Sequence, residues 1–419
     1  MSPLSRLVRQ FGIVAALLCV VLGGMCAQIA VAQSHTGALE RPWVTLLFGF
    51  ASEGDSAAAI VERSLKFGAA RSDSALKFEV VRCGSSYETQ AACDTLMRLD
   101  GTRLIVFAGD EGSATIVAMM SALHHVPVLK LTSDPRTLTH LSSYFFEFLP
   151  CCETQSRVLG DFAVRYLGLA GAMVFTPRDA HGRALADGFK KGLASAGALI
   201  EVQRWYSPDA AAIRPDIDAM FADTARLAHG GTRLQSALSP AERAQVFGNA
   251  QSGEVLYAGP ADSLTADLSR AMEGFYFALS PDRVDAYATQ LPTLAPKTLL
   301  LGNSSWVDLD ALERRETVTE GMYISLPLMP QALDTTGFVT SYQQTGAIVN
   351  EWALLGLDAG QFLGKVLVSE PRSRADVTRA LADAPRMTGI SAIVDFRNGH
   401  ENGAARIVLY RDGQLRVVK

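Results

Sequence analysis

Between residues 103 and 139 the chain reads RLIVFAGDEGSATIVAMMSALHHVPVLKLTSDPRTLT: apolar run, polar turn, apolar-periodic stretch, second apolar run. Residues 104–108 are β-branched and apolar, as a buried strand requires, and the turn from Gly109 through Asp110, Glu111 and Gly112 to Ser113 ends it. Ile116, Met119, Met120 and Leu123 then recur at helical spacing, which predicts a helix with those four on its inward face. Residues 126–131 form the second run, closed by small and polar residues at 132–137. Continuous rather than alternating apolar strands joined by a helix predict a parallel sheet covered on both faces. Ligands of such sheets bind beyond the carboxyl ends of the strands. The turns at 109–115 and 132–137 both lie at that edge and read as half of a ligand site.

The same rhythm runs through most of the chain. Strands are expected at 44–50 and 76–82, helices at 56–69 and 87–99, and a strand at 144–149 leads out of a first lobe. A second series follows: strands at 172–176, 199–206, 275–279, 298–301 and 321–326, with helices at 180–195, 213–227, 282–291 and 309–314. Residues 229–272, rich in Gly, Ser and Ala, break the pattern and read as an insertion with a short strand at 255–258. Helices at 337–344, 349–368 and 374–381 come next, the second long enough to cover the first lobe's sheet. The end is β-rich, with strands at 392–396, 405–410 and 415–418 and an Asp412-Gly413 hairpin signal. The fold class is therefore α/β: two Rossmann-like lobes with doubly wound parallel sheets, joined by a multi-strand hinge because the chain visits each lobe more than once. Lobe I takes residues 43–149 and 328–388; lobe II takes 150–327 and 389–419.

Residues 1–32 stand apart from this pattern. Arg6 and Arg9 precede an apolar core at 11–22, and Ala30-Val31-Ala32 supplies the small-x-small pattern of a cleaved signal peptide. Two other readings stay open: an uncleaved anchor, since 11–32 reaches the roughly 20 residues of a bilayer span, and a lipid anchor at Cys26. Export places the mature protein in the periplasm. The chain's net charge is −5, and the leader's two charges are both positive, so the mature part carries −7. With no basic patch, nucleic acid is not an expected partner.

Cys83, Cys93, Cys151 and Cys152 remain after the leader. In an oxidising compartment Cys83 and Cys93 form either a disulfide closing a short loop or two buried thiols. Cys151 and Cys152 read as adjacent free thiols, with a strained vicinal bridge as the other reading. Neither pair has zinc-ligand spacing, and no metal or cofactor is expected. Catalytic signatures are missing too: there is no G-x-S-x-G elbow, no H-E-x-x-H helix and no G-x-x-x-x-G-K-[S/T] phosphate loop, so the chain reads as a non-enzyme.

Several local sequences then resemble one family. They are Phe175-Thr176-Pro177-Arg178-Asp179-Ala180-His181-Gly182, Leu300-Leu301-Gly302-Asn303-Ser304-Ser305-Trp306, Glu320-Gly321, Phe338 with Tyr342, and Gly389 through Phe396. In order and spacing the chain resembles type I periplasmic solute-binding proteins, the leucine/isoleucine/valine-binding receptors of ABC transporters. Residues 275–346 resemble the penicillin-binding-protein activator-like branch. The resemblance implies a two-lobed clamp, a monomer or weak dimer, that closes on a small polar solute such as an amino acid or related amine or amide and delivers it to an inner-membrane ABC permease. The activator-like branch implies the alternative, an envelope regulator that contacts a cell-wall synthase. Carried over by position, Ser113 receives the ligand carboxylate, Ser133 and Asp134 line the next loop, His181 covers the ligand, and Ser304 stands where the family has the acid that meets the ammonium. Trp306 stacks on the ligand or staples a helix to its lobe. Asp110 and Glu111 crowd the carboxylate's loop, where like charges repel by several kcal/mol at an effective dielectric near 20, so a cationic or hydroxyl-rich group near Asp110 and Asp134 fits better than a branched-chain amino acid.

Overall fold

Unbroken burial of the central strands dictates the layers. A computed structural model describes residues 43–50, 55–72, 76–169, 171–206, 213, 215–216, 274–290, 299–314, 316–334, 336–369, 371–397 and 399–419. Every residue of β1 (Val44–Gly49) and β3 (Leu104–Gly109) is buried, so both faces of their sheet are covered. With β2 (Phe78–Cys83), β4 (Val128–Lys130) and β5 (Phe145–Glu147) they form an all-parallel sheet in the order β2-β1-β3-β4-β5. The winding reverses between β1 and β3, where a crevice opens at the carboxyl ends. The strands approach closely there: a Cβ at Gly109 would lie 2.6 Å from the Gly49 carbonyl oxygen.

Helices α1 (Asp55–Ala70), α2 (Ser86–Arg98) and α3 (Glu111–His124) form the crossovers. The inward face of α3 differs from the expected one. Ser113, Ala114, Val117, Ala118 and Ser121 are buried, whereas Met119 and Leu123 are 59% and 68% exposed. Only small side chains fit there, because α3 lies against α2 and shares a core with Cys93, Leu96 and Met97.

The second sheet is built from β6 (Gly171–Pro177), β7 (Leu199–Tyr206), β8 (Gly274–Phe277), β9 (Leu299–Gly302) and β10 (Tyr323–Leu326), all parallel. Its helices include α4 (Cys152–Leu167), α5 (Ala180–Ser195), α6 (Val284–Gln290), α7 (Leu309–Arg314) and α8 (Glu316–Thr319). The chain then returns to the first sheet with α9 (Phe338–Gln343), α10 (Glu351–Val366) and α11 (Arg374–Ala382), followed by the small hairpin β11 (Met387–Thr388) and β12 (Ile393–Val394). As expected, α10 covers the first sheet: Leu355, Ala359, Phe362 and Leu363 join Val44, Leu46 and Val106 in one core. Ala392, Val394 and Phe396 lie in that core too, so the final return comes after 396 and not at 389. There β13 (Arg406–Arg411) and β14 (Gln414–Val417) add an antiparallel edge, giving β14-β13-β10-β9-β8-β6-β7. Their turn places Asp412 at φ 52° and Gly413 at φ 71°, the left-handed pair of a type I′ hairpin.

Among the described residues three crossings join the sheets, and side chains tie them together. Asn402, fully buried, donates through Nδ2 to the carbonyls of Phe148 (2.7 Å) and Ile393 (2.6 Å), linking the first crossing to the third. Ser391 Oγ, in the loop between β11 and β12, donates to the Met329 carbonyl at 2.6 Å and ties the second crossing to that hairpin. The expected leader at 1–32, all of the helix at 213–227 but residues 213, 215 and 216, and the insertion at 229–272 with its strand at 255–258 lie outside the described residues. Among the described residues no helix is long and apolar enough to cross a membrane.

Candidate functional site

The first expected contact is the amino terminus of α3, whose unpaired N–H groups and partial positive charge attract anions. Asp110 caps it. Its Oδ1 accepts from the Ser113 N–H at 2.8 Å and its Oδ2 from the Ser113 hydroxyl at 3.2 Å. The protein's own carboxylate thus sits where a ligand carboxylate was expected. Ser113 is fully buried, with Ser86 Oγ 3.3 Å from its hydroxyl. The cap of this helix is Asp110, the residue that precedes its first turn, and not Ser113.

Asp134 is also engaged. It is buried and pairs with the equally buried Lys130 at 2.7 Å, and Glu147 Oε1 lies 3.6 Å from the same ammonium. A cation from solution would have to displace Lys130. Burial pushes the Glu147 carboxyl above the usual carboxylate range, against the pull of Lys130. Ser133 keeps its place beside the cleft, donating to the Pro150 carbonyl at 2.7 Å and accepting from Gln155 Nε2 at 3.1 Å.

On the second sheet, Asp179 caps α5 by accepting from the Gly182 N–H at 2.7 Å. His181 follows, half-buried, its basicity lowered by burial against the opposing charge of Asp179. It is not among the residues that line the cleft. After β9 a single 3-10 turn, Ser304–Trp306, sends its ends in different directions. Ser304 lines the cleft, whereas Trp306 is fully buried and donates from Nε1 to the Phe277 carbonyl at 2.8 Å. Of the two readings of Trp306 the staple holds. Trp306→Phe is expected to cost about 2 kcal/mol, from the lost bond and the gap left behind, without changing solute binding. Urea unfolding beside a binding titration would check both halves.

What the structure brings together is a cavity of about 540 Å³ between the sheets. The first sheet's side contributes Thr132, Ser133, Leu149, Glu351, Trp352 and Leu355; the second contributes Pro281, Ser304, Ser305, Val307, Asp308 and Leu326; the crossing at 327–330 closes one end. Glu351 and Trp352 open α10, whose cap Asn350 accepts from the Ala353 N–H at 3.0 Å. The Trp352 ring is held edge-on to Phe50 at 5.8 Å. Neither Glu351, Trp352 nor Asp308 stood out in the sequence. The one available signal was the helix start at 349–351, which local sequence places on a helix but not beside a cleft.

Of the two readings of Cys83 and Cys93 the structure has the buried thiols, both free, and not the disulfide. Burial pushes Cys93 up to about 12, far from the reactive thiolate. Cys151 and Cys152 are free as well, with Cys151 Sγ donating to Glu401 Oε1 at 3.1 Å and accepting from the Thr154 N–H that it caps.

The chain matches no protein-family model, and no curated protein matches it in sequence. Solved structures do match its fold. A protein from Rhodospirillum rubrum assigned to a branched-chain amino acid ABC transporter superposes with a TM-score of 0.67 at 13% identity, over 90% of this chain and 99% of that one. A substrate-binding protein of an ABC transporter from Desulfitobacterium hafniense, solved with leucine, gives 0.60 at 16% over 90% and 99%. The C-domain of LpoA from Haemophilus influenzae, a regulator of PBP1A, gives 0.55 at 13% over 90% and 99%.

Proposed function

From the type I periplasmic binding-protein fold that this chain adopts, we propose that it is the solute-binding receptor of an ABC importer, capturing a small polar ligand, an amino acid or related amine or amide, between its lobes. The observation that carries this reading is the cavity of about 540 Å³, whose volume suits a small organic molecule and whose walls come from both sheets. Ligand touching both walls favours the closed arrangement over the open one, so capture is a population shift about the three crossings. Ser133, Ser304 and Ser305 supply hydroxyls, and Leu149, Leu326, Trp352 and Leu355 supply apolar surface. The exported, periplasmic setting and the permease partner belong to the same proposal.

A thermal-shift screen of amino acids, amides, amines and sugars tests it. One class should raise the melting temperature, since a ligand at 100 times its Kd adds about 2.7 kcal/mol. Ser304→Trp, which fills the cavity, should erase that shift while changing unliganded stability by no more than about 0.5 kcal/mol. A shift that survives the tryptophan would put the ligand elsewhere.

Two observations favour a second reading, an envelope regulator acting by protein contact: the anion seat at α3 is taken by Asp110, and the LpoA C-domain shares the fold. A screen in which nothing stabilises the protein would favour it.

A further inference from the structure

The stripe that period alone sends to the core of the first lobe ends up on its surface. Met119 and Leu123 are 59% and 68% exposed, and Ile116 is partly exposed beside them. From Gly112 to Leu123 the chain has no charged residue, so the outward side of α3 stays apolar for three turns where a solvated helix ordinarily carries charge. Tyr87, 80% exposed, adds to this face from α2. The two helices lie side by side: Ser86 Oγ is 3.3 Å from Ser113 Oγ at one end, and His124 Nε2 is 3.7 Å from Asp94 Oδ1 toward the other. None of these residues lines the cavity.

The two ends of the face differ in charge. At the amino ends of α2 and α3 stand the exposed acids Glu88, Asp110 and Glu111, while the nearby Arg82 pairs with Glu62 at 2.6 Å. At the carboxyl ends Arg374 donates to the carbonyls of Met97, Leu99 and His124 at 2.8, 2.9 and 3.1 Å, which brings Arg372 there too. With Arg98, which pairs with Asp94 at 2.8 Å, these arginines outnumber Asp94 and Asp100.

We propose that this face binds a second copy of the chain, α3 against α3 and antiparallel, about a two-fold axis near Met119. Two features select a copy over an unrelated partner. Ile116 and Leu123 lie three and four residues to either side of Met119. Those offsets are about 4.5 and 6 Å along the axis, so an antiparallel copy sets each of the two against the other. The same rotation lays the acidic end of each copy over the arginine-bearing end of the other, whereas a parallel copy would stack three acids on three acids. Because α2 and α3 both cover the first sheet, the dimer leaves the second lobe free to move, and it stands whether or not the cavity takes a solute.

Sedimentation velocity of the chain, expressed with its leader, tests this over a concentration series, which should show a monomer–dimer equilibrium. Met119→Glu and Met119→Lys each place two like charges at the axis and should raise the dimer Kd at least about tenfold, with the far-ultraviolet circular dichroism unchanged. An equimolar mixture of the two variants should dimerise again, because a glutamate then meets a lysine, and misfolded variants could not give that rescue. A chain that stays monomeric at every concentration, as it would if a permease or a synthase covers this face instead, would overturn the proposal. So would a dimer indifferent to Met119→Glu, or a mixture that remains monomeric.

Discussion

Asp358→Ala is expected to lower the unfolding free energy by about 3–5 kcal/mol, because it breaks a buried charged network from one side. Asp358 is fully buried on α10, and its carboxylate accepts three backbone N–H groups from the loop between β11 and β12: Ile390 at 2.8 Å, Ser391 at 2.8 Å and Ala392 at 2.7 Å. Arg406, itself buried, donates to the carbonyls of Ser391 and Gly389 at 2.7 and 2.8 Å. Alanine would leave three buried donors without an acceptor and a guanidinium without its counter-charge. A packing defect alone would be milder, so a loss below about 1 kcal/mol in urea unfolding would show that the network is dispensable.

The same carboxyl carries a pH signature. Burial pushes it up to about 6, against the pull of the three N–H groups and Arg406. A raised acid holds its proton more tightly folded than unfolded. Its contribution to stability is complete below about pH 4, falls as pH rises from 4 to 6, and is about 3 kcal/mol smaller above that window, at 1.36 kcal/mol per unit. Asp358→Asn cannot ionise, so the stability of wild type relative to this variant should decline across pH 4–6. A difference that stays flat there would assign the titration to another group.

Gly360→Val should be nearly as damaging, by about 4 kcal/mol or outright failure to fold. A Cβ at Gly360 would lie 2.2 Å from the Leu65 carbonyl oxygen and 2.7 Å from the Ala69 nitrogen, both backbone atoms of α1 that no rotamer change can move. The helices would have to separate, and with them the layer that covers β1. Lys365→Val, on the exposed face of the same helix, is the control and should stay within about 0.5 kcal/mol. Equal circular-dichroism melts for the two variants would show that the helices yield without cost.

Much of the architecture was legible before any coordinates. The strands at 44–50, 104–108 and 199–206 and the helices at 180–195 and 309–314 carry their own period, and they lie within a residue or so of the observed elements. Where the reading of a face failed, packing had overruled local pattern. Met119 and Leu123 are the more hydrophobic residues of α3, yet Ala114, Val117 and Ala118 point inward because α2 leaves space for no more. Of the hairpin β11–β12 the second strand lies inside the expected 392–396, while β11 was hidden because a two-residue strand has no detectable period.

The candidate site was less legible. Ser133 and Ser304 line the cleft, Ser113 and Asp134 are buried against partners within the protein, and of the two readings of Trp306 the staple holds. By itself the sequence determined the alternation of strand and helix, and hence two wound sheets with loops gathered at one edge, because period and turn chemistry are properties of neighbours along the chain. Only the tertiary structure decided that Asp110 occupies its own helix terminus, that Lys130 neutralises Asp134, and that Glu351 and Asp308 share a cavity. Charge pairing and burial depend on residues that are distant in sequence, and no local pattern records which of them will meet.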